Sequence, residues 1–189
     1  MTAELVEIPG YVAGTWTVDP VHSDVGFVVR HVMVSKVRGH FTKFEGRIVT
    51  AEDPLKSTVT ATIDLASVDT SNEQRDAHIR SADFFDVEKH PTMTYRSTGV
   101  RHDGDDLVLD GELTLRGVTR PVPLMLEVNG FAPDPMNEGG TRAGFTATGE
   151  IDRGDFGVSF NSPVPGGGVF ISEKVQIVLE IEAALETGG

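Results

Sequence analysis

Val175-Gln176-Ile177-Val178-Leu179-Glu180-Ile181-Glu182-Ala183 interleaves two kinds of residue. Val175, Ile177, Leu179, Ile181 and Ala183 form an apolar row. Gln176, Glu180 and Glu182 form a polar one, which Val178 interrupts. A period of two belongs to an extended strand, because successive side chains leave it on opposite faces. One face of this strand meets water and the other is dry.

The same alternation recurs upstream. Phe145, Ala147, Gly149 and Ile151 alternate with Thr146, Thr148, Glu150 and Asp152. Val122, Leu124, Leu126 and Val128 follow a turn at 116–121, and before it come Leu107, Leu109, Gly111, Leu113 and Leu115. Val59, Ala61, Ile63 and Leu65 alternate with Thr58, Thr60, Thr62 and Asp64. Val25, Phe27 and Val29 belong to a long strand reaching Val34. Residues 39–50 form another, in which Phe41 and Phe44 are out of step by one and predict a bulge. Segments 15–19 and 92–100 complete a set of about eight or nine strands, the pattern of a sandwich or barrel.

One stretch departs from this period. Ser71 to Arg80, SNEQRDAHIR, lacks Gly and Pro and opens on capping residues, so it predicts one short helix. On it Asp76 and Arg80 are i,i+4 neighbours, the spacing of a surface ion pair. Phe84 and Phe85 follow, placed to plug one barrel end. The connections at 129–142 and 161–168 are long for hairpins, and such loops tend to sit at functional rims.

Composition narrows the function. The chain has 189 residues, 39% of them hydrophobic, enough for one domain with a core. There is no cysteine, which excludes disulfides, thiolate metal sites and Cys nucleophiles. The formal charge of −13 repels nucleic acid and disfavours nonspecific docking on an anionic membrane. No run reaches the roughly 18 apolar residues of a membrane helix. Residues 1–11 hold two glutamates, no basic residue and no apolar h-region, so the expectation is a soluble cytoplasmic protein.

Catalytic and metal grammar is missing. The chain has no G-x-S-x-G, H-E-x-x-H, G-x-x-x-x-G-K-S/T or G-x-G-x-x-G. Its histidines are scattered, and no cofactor or metal is expected. An enzyme working inside such a barrel would need a titrating pair in the interior, for which His22 with Asp24 or Asp155 is the pair to test. A protein-interaction module and a filled, ligand-free barrel remain alternatives, because alternation does not separate a hollow barrel from a packed one. One charge feature stands out. Residues 25–44 contain no acid but carry Arg30, Lys36, Arg38 and Lys43, with His31 and His40. Such an island predicts a basic rim, with Arg38 the candidate for a bidentate contact to an anion.

The ordered motifs resemble the YceI-like, or polyisoprenoid-binding, family. They are Trp16 to Ser23 (WTVDPVHS), Phe27 to His31, Val37 to Phe41 (VRGHF), Thr70, Arg75 to Asp86 (RDAHIRSADFFD), His90-Pro91, Gly111 to Val122 (GELTLRGVTRPV) and the turn at 153–157. The resemblance covers residues 14–183. It implies an all-β fold, a single antiparallel lipocalin-like β-barrel of about eight strands with one short helix. That barrel would occupy residues 14–185, between an extension at 1–13 and a tail at 186–189. It further implies a hydrophobic pore for an isoprenoid or other long-chain lipid, such as a prenyl diphosphate or a quinone, and is compatible with a homodimer. The pore residues expected are Phe27, Val29, Phe41, Ile63, Phe84, Phe85, Leu113, Leu124, Phe145 and Ile177. The head group is expected near His22, His31 and Arg38.

Overall fold

Asp19-Pro20 stops the first strand, because proline has no N–H to give a ladder and the Asp19 carboxylate accepts the Val21 N–H at 2.9 Å. Breaks of this kind divide long strands into short ones throughout the molecule. The computed structural model of the chain describes residues 8–32, 34–161 and 171–187. Within them lie β1 (Gly14–Val18), β2 (Asp24–His31), β3 (Ser35–Phe41), β4 (Phe44–Thr50), β5 (Thr58–Asp64), β6 (Val68–Asp69) and the helix α1 (Glu73–Arg80). Then follow β7 (Thr92–Asp103), β8 (Asp106–Leu115), β9 (Val118–Pro121), β10 (Leu124–Pro133), β11 (Thr141–Asp152) and β12 (Ile171–Leu185).

Register shows which short strands belong together. β1 and β2 both run antiparallel along β12, with Val18 opposite Ala183 and Asp24 opposite Glu180. β4 and β3 lie against them as another bent strand, then β5 and β6 against those. β9 and β10 continue each other along β8, on either side of Val122-Pro123. Joined in this way, the strands number eight in up-and-down order. The pairing of β1 with β12 closes them into an antiparallel barrel, which leaves no long open edge.

Hairpins alternate between two ends. The β2–β3 turn, α1 and the β8–β9 turn lie at one end, called here the helix end. The β4–β5, β7–β8 and β10–β11 connections lie at the other. Two apolar clusters follow this division. Phe41, Ile63, Leu65, Leu109, Leu113, Leu124 and Phe156 belong to the larger. Trp16, Val18, Ile48, Ala143 and Ala183 form the smaller, packed against Phe131 and Phe145.

Several expectations need correction. The bulge expected between Phe41 and Phe44 is a two-residue break, Thr42-Lys43, between β3 and β4. It resets the parity, so both phenylalanines face inward. The helix begins at Glu73 rather than Ser71, with the Asn72 side chain accepting the Arg75 N–H at 2.9 Å. Asp76 forms no surface pair with Arg80. It is buried against β6 and accepts hydrogen bonds from the Thr70 N–H, at 2.9 Å, and the Thr70 hydroxyl. Half of the long loop expected at 129–142 is strand, since β10 runs to Pro133 and β11 starts at Thr141, which leaves the connection at 134–140. A bulge between Val128 and Gly130 absorbs the Asn-Gly pair, with Gly130 at φ 151°. The 161–168 connection lies outside the described residues apart from Asn161.

Candidate functional site

The inward rows of the strands do not meet. They surround an apolar cavity of about 790 Å³, whose wall extends from the helix end to the opposite end of the barrel. Imperfect packing leaves voids close to the size of a water molecule, whereas this volume is that of a ligand pocket. Leu107, Leu109, Leu113 and Leu115 contribute from β8, and Val175, Ile177, Leu179 and Ile181 from β12. Where a row contains glycine, a large neighbour uses the space. The Phe27 ring lies over Gly39 and the Tyr95 ring over Gly111. The Tyr95 hydroxyl donates to the Val122 carbonyl at 2.8 Å, so even this phenol brings no unpaired polar group into the wall. Burial raises its pKa further above the ordinary phenol value.

Aromatic rings and one buried cation build the helix-end cover. Phe27 stacks on Phe41 at 5.6 Å and Phe41 on Phe85 at 6.0 Å. Phe84 packs edge-on to His78 and Phe160, at 5.0 and 5.4 Å. Arg153 is buried beneath them and donates to the carbonyls of Val158, Phe160, Ile171 and Ser172. Desolvation lowers its pKa, and the four carbonyls replace its lost water. Arg116 ties the cover down by donating to the carbonyls of Ala82 and Gly157. Residues with polar side chains border the cavity here: Arg30, His31, Asn72, Gln74, Arg75 and His78. Arg75 is held by its own bonds to the Thr70 hydroxyl and carbonyl, at 2.8 and 2.7 Å.

The opposite end carries the second cluster, built around Trp16 and Phe131. Trp16 is fully buried, and its indole N–H donates to the Thr50 hydroxyl at 2.8 Å. Phe131 stands edge-on to Trp16, Tyr11 and Phe145, at 5.4, 5.3 and 6.0 Å. Tyr11 lies across this end and donates to the Ala51 carbonyl.

All ten residues expected in a pore stand on the cavity wall: Phe27, Val29, Phe41, Ile63, Phe84, Phe85, Leu113, Leu124, Phe145 and Ile177. Of the three expected at the head group, His31 lines the cavity. Arg38 faces outward from β3, three residues from the inward Phe41, and is exposed. His22 is exposed near the opposite end, its Nδ1 2.7 Å from Asp19 Oδ2, which raises its pKa. Asp24 faces His40 at 3.9 Å and Asp155 sits on the 153–156 turn, so neither forms an interior pair with His22. Asp19, His22 and Glu182 converge in a geometry that could hold a metal ion. Arg142 already supplies the positive charge, with Nη1 2.7 Å from Asp19 and 2.9 Å from Glu182. The sequence reading missed Arg75, His78, Tyr95 and Arg153. A polar helix reads as a solvated face, and nothing local signals that one side of it looks into a barrel.

A closed up-and-down barrel around an apolar tunnel places the structure in the lipocalin-like class of barrels. Comparison with known proteins narrows this further. The sequence profile described as the YceI-like domain matches residues 16–183, and the chain belongs to that family. Protein YceI of Escherichia coli O17:K52:H18 is 40% identical over 163 residues, covering 85% of this chain and 81% of that protein. The UPF0312 protein plu2095 of Photorhabdus laumondii is 43% identical over 136 residues, 71% of this chain and 70% of its own. Among solved structures, the Campylobacter jejuni YCEI protein superposes with a TM-score of 0.71 at 30% identity, covering 89% of this chain and 96% of that one. A polyisoprenoid binding domain from Saccharophagus degradans shares the fold with a TM-score of 0.65 at 18% identity, covering 90% and 98%.

Proposed function

We propose that this protein binds a long-chain isoprenoid lipid, a prenyl diphosphate or an isoprenoid quinone, and holds its tail inside the barrel for storage or transport. The carrying observation is the 790 Å³ cavity with its aliphatic and aromatic wall. Each methylene moved from water into such a wall is worth about 0.8 kcal/mol, so a long tail binds firmly with no specific polar contact. The ten wall residues named above are the proposed tail contacts. The reading seats the polar head at the helix end, beside His31, Arg75 and their polar neighbours, because a head group left in the apolar middle would lose its hydration without compensation. The Saccharophagus degradans domain of the same fold is described as polyisoprenoid-binding, in keeping with this chemistry.

The test is a series of prenyl alcohols of increasing length, titrated into delipidated protein. Affinity should climb with each isoprene unit and level off once the tunnel is full. Phe145→Leu, which widens the cavity beside the Trp16 cluster, should keep the fold and move that plateau to longer chains. Equal affinity for the shortest and longest chains, or no uptake at all, would refute the reading.

A further inference from the structure

We infer that the β2–β3 hairpin beside the helix end of the tunnel docks on an anionic lipid bilayer, so that the tunnel exchanges its lipid directly with the membrane. The island without acids, residues 25–44, carries a formal charge of +4 in a chain of −13. In the folded protein three of its four cations flank one turn. Arg30 and Lys36 are opposite each other in the register and Arg38 lies two residues further along β3, all three exposed. Among the described residues, none of these three has an ion-pair partner. Across on β12, exposed Glu173 is followed at once by exposed Lys174.

The tip of the turn is apolar as well. Val34 is 85% exposed. Val32 takes a left-handed backbone with φ 52°, where glycine or asparagine would fit without strain and a β-branched residue does not. A soluble hairpin serves itself better with polar turn residues. An apolar tip ringed by cations suits a bilayer surface, where the tip enters the interface and the cations meet lipid phosphates.

The charge of the remaining turns orients the molecule. At the helix end the acids of the 70–91 connection, Glu73, Asp76, Asp83, Asp86 and Glu88, stand against Arg75, Arg80 and Lys89, and the hairpin tips the balance positive. At the opposite end the β7–β8 turn supplies Asp103, Asp105 and Asp106 and the β10–β11 loop Glu138, Asp134 there being paired with Arg142. An anionic surface repels that end and attracts the hairpin. Screening over about 8–10 Å keeps the distant acids from cancelling the local attraction. The tunnel is adjacent, since Arg30 and His31 at the hairpin's base also line the cavity. The purpose assigned to docking rests on the lipid-tunnel reading, but docking itself is measured separately.

The experiment is co-sedimentation with phosphatidylcholine vesicles, with and without phosphatidylglycerol, at low and raised salt. Wild-type protein should bind only the phosphatidylglycerol vesicles and come off as salt rises. Lys36→Ser and Arg38→Ser should each weaken binding about fivefold, and Val34→Asp should weaken it further. Lys56→Ser, at the opposite end, should change nothing. Uptake of a detergent-dispersed prenyl alcohol should be normal in all four, which shows they fold and separates this proposal from the tunnel reading. No binding to phosphatidylglycerol vesicles, equal binding by wild type and hairpin variants, or retention on heparin without vesicle binding would each overturn the proposal.

Discussion

Gly39 has no side chain because the Phe27 ring occupies the place where a Cβ would stand. Ring and glycine together make one flat piece of tunnel wall. Gly39→Ala should push the ring inward and narrow the bore, at a stability cost of about 1–3 kcal/mol for overpacking. Long prenyl chains should then bind more weakly while the barrel still melts cooperatively, as chain-length titration and thermal unfolding would show. Arg153 is the opposite case, a residue whose loss acts on stability. Arg153→Met would take the guanidinium donor from the Val158, Phe160 and Ser172 carbonyls beneath the cover, while the Ile171 carbonyl keeps the Asn161 amide. A loss of roughly 3 kcal/mol in denaturant unfolding is expected, because buried polar groups deprived of a partner are costly. Residue-scale parity also explains which head-group expectations reached the cavity. Val37, Gly39 and Phe41 face inward, so Arg38 between them faces out, and counting charges along the chain does not register this. His22 lies in the Asp19–Ser23 break, where parity carries no information.

Most single strands were legible in the sequence because each shows one wet and one dry face. Their joining was not, because a break such as Asp19–Ser23 or Thr42-Lys43 resets the period, and only pairing to β12 or β5 shows that the pieces continue. The 129–142 segment was misread for a related reason: Asn129-Gly130 has turn chemistry, yet its neighbours hold it as a bulge inside β10. Elements are also clasped by charge. Arg142 on β11 joins Asp19 at the β1–β2 break, Glu182 on β12 and Asp134 in the β10–β11 loop, at 2.7, 2.9 and 3.1 Å. Hydrogen bonds from His22 and then Arg142 hold the Asp19 carboxyl well below the usual carboxylate range. Asp134 is lowered by the Met136 N–H first and Arg142 after it. A depressed carboxylate stabilises the fold above its unfolded pKa, about 3.9 for Asp, and that contribution fades as pH falls towards the folded value. His22 has the reverse sign: its raised pKa, set mainly by Asp19, favours the fold below about 6.5 and stops doing so as pH rises through the folded value. Thermal melts should therefore lose stability on acidification below about pH 4, and Arg142→Gln should flatten that limb. An acid limb identical in the variant would show that the clasp does not set it.

At the scale of the molecule the deciding property is that the barrel is hollow. Alternation identified the inward rows and left open whether their side chains meet across the middle, because that depends on barrel width and on how rings fold over glycines such as Gly39 and Gly111. Small residues keep the bore open. Ala147 lies on the wall, and Ala147→Phe would put a ring into the tunnel. Tail binding should then be lost while the fold persists and the melting temperature holds or rises, because the ring gains apolar contacts in space the cavity already offers. Uptake and melting measured on the same sample separate a blocked tunnel from a broken barrel. The most direct test of the whole account is native mass spectrometry of the gently purified protein, before and after incubation with a long prenyl alcohol. The account predicts a one-to-one complex with an apolar molecule, released on denaturation and absent from Ala147→Phe. A bare protein mass under both conditions would contradict it.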